Sequence, residues 1–572
     1  MRARWPLALV ALIAVVASGA CSGTPARDGH DGALPPSPVK ALDINPLARE
    51  KVKDGGTLRW GIIDFPVQWN QNHIDGDTHS VDVVMDALMP RAFRSDERGR
   101  VSLDTDYVTN ARVTATSPRQ VITYTLNPKA HWSNGKPITW ADFAAQWKAM
   151  GGRDRAYRVD SHIAYENIQN VTRGASDREV VVTLTQPYNE WQSLFSPLYP
   201  ASTNSSPEAF GADWINKIPV SAGPFRVERL DRKGGLLTLA RDPGWWGDRA
   251  KLDKIVFRRV RPEGLVRAFT KGDVDVFDVG PSPDNYAQVR EAWDAVVRQA
   301  AGPEYRQFTF NAESGNLSDL RVRQAVAMGL DRKALMELDL KGLGWPTVTL
   351  DNHFLMNSQR GYRANAGELG VYNPRRAGEL LDQAGWKIPV KDGKPGKIRM
   401  KDGKPLTLRF VVPAGVKATD SEAQVARLML QRIGVNVVVQ AVPFNDFFGK
   451  YLIPGNFDIT AFSYPGTPFP MSNSFDVFAD GENIKGDDVK WYSNLGRSGS
   501  RQIDQAMYRA GSSLDDEQVT DLLNEADKLV WQKVNVLPLY QVPQNVVVRS
   551  GLANIGANGL YDLRYENIGY AS

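Results

Sequence analysis

The sequence is short of cysteine, of net charge and of long apolar runs. Its 572 residues include one cysteine, Cys21, so an internal disulfide, a cysteine-based zinc site and CxxC redox chemistry are excluded. The 69 basic residues face 65 acidic ones, and this net charge of +4 gives no electrostatic reason to expect a nucleic acid partner. With 42% hydrophobic and 23% charged residues, the chain is neither a polytopic membrane protein nor largely disordered. The length exceeds the ~250–300 residues of a single core, so two or three folded units are expected.

The common catalytic motifs are also missing. The sequence contains no GxSxG, HExxH, Walker or GxGxxG motif, and we therefore expect a protein that is not an enzyme and needs no cofactor. Residues 73–79 (HIDGDTH) place two histidines and two aspartates close together, which are ligand types for a hard or borderline cation. Gly76 and the helix start that follows favour the alternative, a turn in which Asp77 or Thr78 caps the helix. We expect no metal site here.

The N-terminus has the pattern of an export signal. Two arginines precede an apolar run over residues 5–20, which is shorter than the ~20 residues needed to span a bilayer. Small residues then lead directly to Cys21, a pattern that resembles the lipobox of bacterial lipoproteins. We predict a signal peptide over 1–20 and a lipidated Cys21; the alternative is simple cleavage beside an incidental cysteine. Residues 21–54 are rich in Gly, Pro, Ser and charge and are predicted to form a flexible tether.

Strand and helix patterns mix along the rest of the chain. Residues 57–63 (TLRWGII) predict a first strand, and residues 80–89 predict a helix after it. Residues 138–150 show helical spacing of apolar side chains, with Thr139 and Asp142 placed to form a capping box. This order of elements indicates an α/β or α+β fold.

The five residues KDGKP occur twice within 387–405, a segment with seven Lys or Arg against two Asp. Asp-Gly between short β-capable runs indicates tight turns. The segment has two interpretations: a contact with an anionic surface, such as lipid headgroups or envelope glycans, or a solvated hairpin at a loop tip. We favour the hairpin, because the charges have no aromatic neighbours for stacking.

An ordered series of blocks makes the chain resemble a known family, the family 5 solute-binding proteins of ABC importers, which bind oligopeptides, dipeptides or nickel. The blocks are NPKAHWSNGKPITWADF (127–143), SAGPFRVERL (221–230), RDPGWWGD (241–248), KLDKIVFRRV (251–260), AFTKGDVDVFDVG (268–280), FNAESGNLSDLRVRQAVAMGLDRKAL (310–335), YNPRRAGELLDQAGW (372–386) and LPLYQ (537–541). Segments 140–174 and 187–202 are similar to an actinobacterial lipoprotein branch of this family. That branch includes a mycobacterial lipoprotein implicated in the assembly of phosphatidylinositol mannosides.

The resemblance implies a two-lobed α/β fold of the periplasmic-binding-protein kind (type II, cluster C), with a subdomain inserted in the first lobe and a hinge that closes on ligand. The implied first lobe comprises 55–88, 221–305 and 540–572. The implied inserted subdomain is 89–220, and the implied second lobe is 306–539.

The resemblance also implies where the ligand lies. The cleft would be lined by the loop after the first strand, by a loop of the inserted subdomain and by residues 456–470. The ligand-binding candidates are Trp69, Asn70, Tyr199, Phe462, Ser463, Tyr464 and Trp491; most of them are aromatics that offer a flat apolar face with a polar edge, and packing in the core is the alternative for each aromatic. Peptide-binding relatives carry an Asp at the position of Ser463, which pairs with the peptide ammonium. A hydroxyl cannot replace that charge, so recognition of a free peptide N-terminus comes into question.

Two functions follow from this resemblance. The first is an extracytoplasmic lipoprotein, anchored at the cell membrane and monomeric, that captures a peptide or peptide-like solute and delivers it to ABC permease subunits. The second is a non-transport envelope factor that binds a glycolipid of the phosphatidylinositol mannoside type or a protein partner. We favour the first because the matching blocks extend over the whole mature chain, although fold alone is weak support for a ligand.

Overall fold

A computed structural model describes residues 39–482, 491 and 493–572. The predicted signal peptide, Cys21 and the first part of the predicted tether lie outside these residues. Within them, no helix combines the length and the apolar character needed to cross a membrane.

Strands and helices are interspersed along the described chain. The strands are β1 Thr57–Ile62, β2 Phe93–Ser95, β3 Val101–Leu103, β4 Val108–Ala115, β5 Val121–Leu126, β6 Ile168–Arg173, β7 Glu179–Leu184, β8 Phe225–Asp231, β9 Leu236–Arg241, β10 Lys254–Arg259, β11 Val276–Asp278, β12 Ala295–Phe310, β13 Val390–Lys391, β14 Lys394–Pro395, β15 Met400–Lys401, β16 Lys404–Pro405, β17 Thr407–Pro413, β18 Asn436–Val442, β19 Ile459–Pro465, β20 Val536–Arg549, β21 Leu552–Ala553 and β22 Gly569–Tyr570. The helices are α1 His79–Met85, α2 Trp140–Met150, α3 Pro207–Ala212, α4 Leu265–Thr270, α5 Pro283–Arg290, α6 Leu320–Gly329, α7 Arg332–Asp339, α8 Pro374–Gln383, α9 Lys417–Arg432, α10 Pro470–Phe478, α11 Arg501–Ser512 and α12 Asp516–Lys533.

One mixed sheet joins two lobes. Its ten strands follow the order β18-β17-β19-β12-β20-β11-β1-β10-β9-β8. In the first lobe β1 runs parallel to β10 and β11, and in the second lobe β17 runs parallel to β18 and β19. The long antiparallel strands β12 and β20 lie at the centre of the sheet and continue from one lobe into the other. Separate apolar cores form on the two sides, so the α/β class with two lobes is confirmed.

A smaller antiparallel sheet lies within residues 89–220. Its strands follow the order β4-β5-β7-β6, and α2 packs against β6. Burial alternates strictly along β5 and β7, as expected for strands with one face on a core and one toward solvent. The domain limits given by the resemblance stay a prediction, although this sheet is what an inserted subdomain requires.

Helix starts agree with the local signals in the sequence. Thr139 and Asp142 form the predicted capping box at the start of α2. Thr78 caps α1 by accepting a hydrogen bond from the Val81 N–H (3.3 Å), which favours the turn interpretation of residues 73–79. Among the described residues, no group of His, Cys, Asp or Glu has the arrangement of a metal site.

The two KDGKP segments form the hairpins β13–β14 and β15–β16. Asp392 and Gly393 have φ values of 52° and 72°, and Asp402 and Gly403 have 49° and 74°, as a two-residue hairpin turn requires. Residues 389–397 and 401–405 are exposed throughout, which fits the solvated-hairpin interpretation.

The flexible tether is shorter than predicted. The prediction extended to residue 54, but Val39, Ile44 and Val52 are buried. Backbone hydrogen bonds join Asp43 to Ala557 in both directions (2.8 and 3.0 Å). The prediction is therefore wrong for residues 39–54, because a few apolar side chains between charged ones pack against the C-terminal segment, which the local composition did not indicate.

Candidate functional site: a cleft between the lobes

The connection between the lobes is irregular at two adjacent places, residues 301–305 and 306–307. The pairing of β12 with β20 shifts register across residues 301–305. There the side-chain amide of Gln541 donates to the Gly302 carbonyl (2.8 Å), and its oxygen accepts from the Ser358 N–H (3.1 Å). A rotation between the lobes requires local changes in backbone dihedral angles, and a break in the regular pairing of the connecting strands can accommodate them. This position therefore serves as the candidate hinge.

The first-lobe wall of the cleft is formed by strand ends. Because β1 and β11 are parallel, their carboxyl ends lie at the same edge of the sheet. Asp64 follows β1 and accepts a hydrogen bond from the Ser80 hydroxyl. Asp278 ends β11 and accepts from the Gly280 N–H (2.7 Å). Ligands of open α/β sheets bind outside such carboxyl ends, so this edge is a candidate ligand surface.

Two carboxylates near the candidate hinge interact electrostatically. Asp278 and Glu304 are both exposed to solvent, yet burial raises the pKa of each, as expected for groups within a concave surface. Repulsion by Asp278 also raises the pKa of Glu304, and His79 opposes both shifts. Since a cation between the carboxylates would relieve this repulsion, the arrangement is suited to an ammonium or guanidinium group.

The second-lobe wall is formed by β19 beside β12. Cross-strand pairs place Ser463 opposite Arg306 and Pro465 opposite Glu304. Residues two apart on a strand share a face, so Ser463, Arg306 and Glu304 lie on one face of the sheet. Ser463 is thus next to a carboxylate supplied by the neighbouring strand.

Arg306 belongs to a buried polar cluster on this same face of the sheet. Its guanidinium donates to both oxygens of Glu422, which has no accessible surface, and to the Thr419 hydroxyl (2.9 Å). The Tyr540 hydroxyl donates to Asp339 (3.1 Å). Burial, and then the charge of Glu422, raise the pKa of Asp339 to about 8. With a pKa of about 8, Asp339 is mostly protonated at neutral pH, and Arg306 is paired with Glu422, so the cluster adds little net charge to the cleft.

The predicted aromatics of β19 lie on the other face of the strand. Tyr464 packs against Tyr305, with ring centroids 5.8 Å apart, and its hydroxyl donates to the Asn473 carbonyl (3.1 Å). Phe462 packs against Phe448 at the same centroid distance. Both are partly exposed, so they stay candidates for ligand contact, but the structure separates them from Ser463.

Three candidates near the first strand are packed in the core. Trp69, Asn70 and Tyr199 have no accessible surface. The Tyr199 hydroxyl accepts from the Gln71 N–H (2.9 Å) and donates to the Trp69 carbonyl (3.4 Å), and the Asn70 amide donates to Phe210 (3.2 Å). In this arrangement these side chains fix the loop after β1 to the inserted subdomain, which corresponds to packing, the alternative for the two aromatics, and ligand contact by these residues stays a prediction.

Trp491 is likewise nearly buried. Its indole N–H donates to Glu313 (2.8 Å), and its ring lies against Gly481. This placement corresponds to packing, the alternative considered for each aromatic. Cys21 lies outside the described residues.

Asp278 and Glu304 were not recognised from the sequence. Asp278 ends the short strand of the block AFTKGDVDVFDVG, and Glu304 follows Gly302 and Pro303 in the long strand β12. A strand end and a Gly-Pro break were the available signals. Their meeting depends on the order of strands in the sheet, which local patterns do not indicate.

Comparisons with known proteins agree with this architecture. The profile of the family described as "Bacterial extracellular solute-binding proteins, family 5 Middle" matches residues 111–486. The oligopeptide-binding protein OppA of Mycobacterium tuberculosis H37Rv is 38% identical over 533 residues, covering 92% of this chain and 87% of OppA. The probable monoacyl phosphatidylinositol tetramannoside-binding protein LpqW of the same organism is 30% identical over 289 residues, 49% of this chain and 44% of LpqW.

The solved structure of the periplasmic EDTA-binding protein EppA superposes with a TM-score of 0.81 at 24% identity, covering 93% of this chain and 99% of EppA. At that identity the likeness shows the fold alone. The profile match over residues 111–486 and the 38% identity with OppA over 92% of this chain show the family directly. The chain belongs to family 5 of the bacterial extracellular solute-binding proteins.

Proposed function

We propose that this chain captures peptides outside the cytoplasm and delivers them to an ABC importer, acting as a binding protein and not as an enzyme. The observation that carries the proposal is the pair of exposed carboxylates at the hinge, Asp278 and Glu304, which form no salt bridge within the described part of the chain. A peptide brings an ammonium group to such a site, and the similarity to an oligopeptide-binding protein over most of the chain supports this ligand class.

The direct test is to identify what the protein carries. Protein purified from its own host under native conditions should release peptides when it is denatured, and mass spectrometry should detect them. Calorimetric titration with those synthetic peptides should then show saturable binding with one peptide per chain. Release of no peptide, together with no heat from any synthetic peptide, would overturn the proposal.

The second candidate function is binding of a glycolipid. The observation that favours it is the identity with LpqW, although that match covers about half of each chain. The same mass spectrometry separates the two candidates, because a mannosylated phosphatidylinositol differs from a peptide in mass and in fragmentation. Permease and ATPase genes beside the gene would favour the transport function.

We further propose that the mature protein begins at Cys21, is lipidated there and is a monomer at the outer face of the cell membrane. Two or three acyl chains hold a protein firmly, because each buried CH₂ contributes ~0.8 kcal/mol. A palmitate label should enter the protein, and Cys21→Ser should abolish labelling and release the protein to the medium. Label that persists in Cys21→Ser would contradict the lipid anchor.

A further inference from the structure

A second contact between the lobes lies away from the hinge, between the inserted subdomain and α10. The turn at residues 186–190 follows β7, and it carries Glu190, which is 6% exposed. The Glu190 carboxylate accepts hydrogen bonds from the Met471 N–H (2.7 Å), the Ser472 N–H (2.7 Å) and the Ser472 hydroxyl. These donors belong to the first turn of α10, so a side chain of one domain caps a helix of the other.

The helix α10 has no cap of its own. Its N-cap residue, Phe469, provides no side-chain hydrogen bond, whereas Ser500 and Asp515 cap α11 and α12 next to it. Free N–H groups at a helix start require an acceptor, and a carboxylate there also interacts favourably with the helix dipole. Glu190 supplies this acceptor only while the inserted subdomain and the second lobe are in contact.

Three more hydrogen bonds join the same two surfaces. The Tyr188 hydroxyl is 2.5 Å from the Ser472 hydroxyl, the Asn189 N–H donates to the Gly511 carbonyl (2.8 Å), and the Tyr508 hydroxyl donates to Gln186 (3.2 Å). The last two involve α11.

The turn itself is held rigid from behind. The buried Gln120 side chain accepts from the Tyr188 N–H (2.7 Å) and donates to the Tyr188 carbonyl (3.1 Å). This support presents the turn to α10 and α11 in one conformation.

The contact is coupled to the cleft through the segment before α10. The Gly466 N–H donates to the Pro303 carbonyl (2.8 Å), directly beside Glu304, and α10 begins four residues later. Because this bond joins the segment before α10 to β12 beside the candidate hinge, a rotation there would move α10 relative to the inserted subdomain.

We propose that residues 186–190 are a latch that holds the lobes in the closed arrangement, with Glu190 as its positioning residue. That the closed arrangement retains a peptide rests on the proposed function, whereas the latch itself is a property of the protein without ligand. Among the described residues, the titratable side chain that interacts with Glu190 is Tyr188, whose hydroxyl lies beside those of Ser193 and Ser472.

The test compares Glu190→Ala with Glu208→Ala. Glu208 is exposed on α3 of the same subdomain and serves as the matched control. Without ligand, the Met471 and Ser472 amides of Glu190→Ala should exchange hydrogen at least tenfold faster than in the unaltered protein, and small-angle scattering should give a larger radius of gyration. Glu208→Ala should change neither quantity. Exchange within twofold of the unaltered protein, with the same radius of gyration, would overturn the latch.

A second variant and a peptide-binding measurement complete the test. If Glu190→Ala does not fold, Ser472→Ala removes only the hydroxyl and should give the same changes in smaller measure; no change would overturn the latch. A tryptic digest of casein, used as the peptide probe, should raise the melting temperature less in Glu190→Ala than in the unaltered protein. If the digest fails to stabilise the unaltered protein, peptide capture is contradicted, while the exchange and scattering results still decide the latch.

Discussion

At the scale of single residues, the charge of the cleft depends on which charged side chains are paired. Arg306 is paired with Glu422, so it is not free to bind an anion, although it faces Ser463 across the strands. Glu304 has no such partner and lies on the same face as Ser463. A carboxylate is therefore present beside Ser463, and Glu304 is the group that the proposed function assigns to a peptide ammonium.

We predict that Glu304→Gln weakens binding of a peptide with a free α-amine by about tenfold, since a hydrogen bond to a charged group contributes roughly 1.5–3 kcal/mol. Acetylation of the peptide amine should weaken binding to the unaltered protein but should change binding to Glu304→Gln by less than twofold. Calorimetric titration of both peptides against both proteins measures this, with the exposed Glu368→Gln as control. Equal loss on acetylation in both proteins would show that another group binds the amine.

We also predict that Arg306→Met destabilises the protein by about 3–5 kcal/mol, because it leaves Glu422 buried without its partner. The matched control is Arg321→Met, whose partner Asp319 is exposed in part, and which should destabilise the protein far less because solvent screens an exposed ion pair. Urea unfolding at pH 7 gives both values. A similar small loss in both variants would contradict the role assigned to the buried pair.

At the scale of elements, local sequence signals correctly predicted the features that depend only on neighbouring residues. The capping box of Thr139 and Asp142 and the Asp-Gly hairpin turns formed as expected, because each depends on residues within a few positions of one another. Trp69 and Tyr199, which were candidates for ligand contact, are buried in the core. Sequence alone does not separate the two roles, because an aromatic side chain is suited to packing as well as to ligand contact. Sequence reasoning could not predict the cap of α10, because the acceptor, Glu190, lies about 280 residues away along the chain.

The latch should respond to pH in a definite direction. Burial raises the pKa of Glu190 to about 7 in the latched state, although hydrogen bonds from Ser472 and Met471 act against this shift. In the open state the solvated carboxyl has its ordinary pKa, near 4.5. The latched state therefore binds the proton more tightly, and its stability relative to the open state falls as pH rises from 4.5 to 7, by roughly 3 kcal/mol in total.

We accordingly predict a radius of gyration that increases between pH 5 and pH 8 in the unaltered protein without ligand. Glu190→Gln keeps a carbonyl acceptor for the helix and cannot titrate at this position, so its radius of gyration should increase less over this interval than that of the unaltered protein. Small-angle scattering at four pH values gives the comparison. A decrease with rising pH, or an equally large increase in Glu190→Gln, would be inconsistent with the latch chemistry.

At the scale of the whole molecule, two contacts control the approach of the lobes, the hinge on β12 and β20 and the latch on α10. A ligand that binds between the lobes stabilises the closed arrangement by mass action, by about 2.7 kcal/mol when its concentration is one hundred times Kd. The α/β class and the two lobes could be predicted because the family blocks extend along the chain. The cleft charges could not, because they arise where strands far apart in sequence become neighbours in one sheet.

The hinge gives the last prediction. A Cβ added at Gly302 would lie 2.8 Å from the Val542 carbonyl oxygen, closer than such atoms approach, so Gly302→Ala must push β12 and β20 apart at the irregular pairing. We expect this variant to close less readily: its radius of gyration should fall less on addition of a casein digest, and its melting temperature should rise less. Gly315→Ala is the control, because a Cβ there meets nothing within 4 Å. Closure of Gly302→Ala equal to that of the unaltered protein would place the hinge elsewhere on the connecting strands.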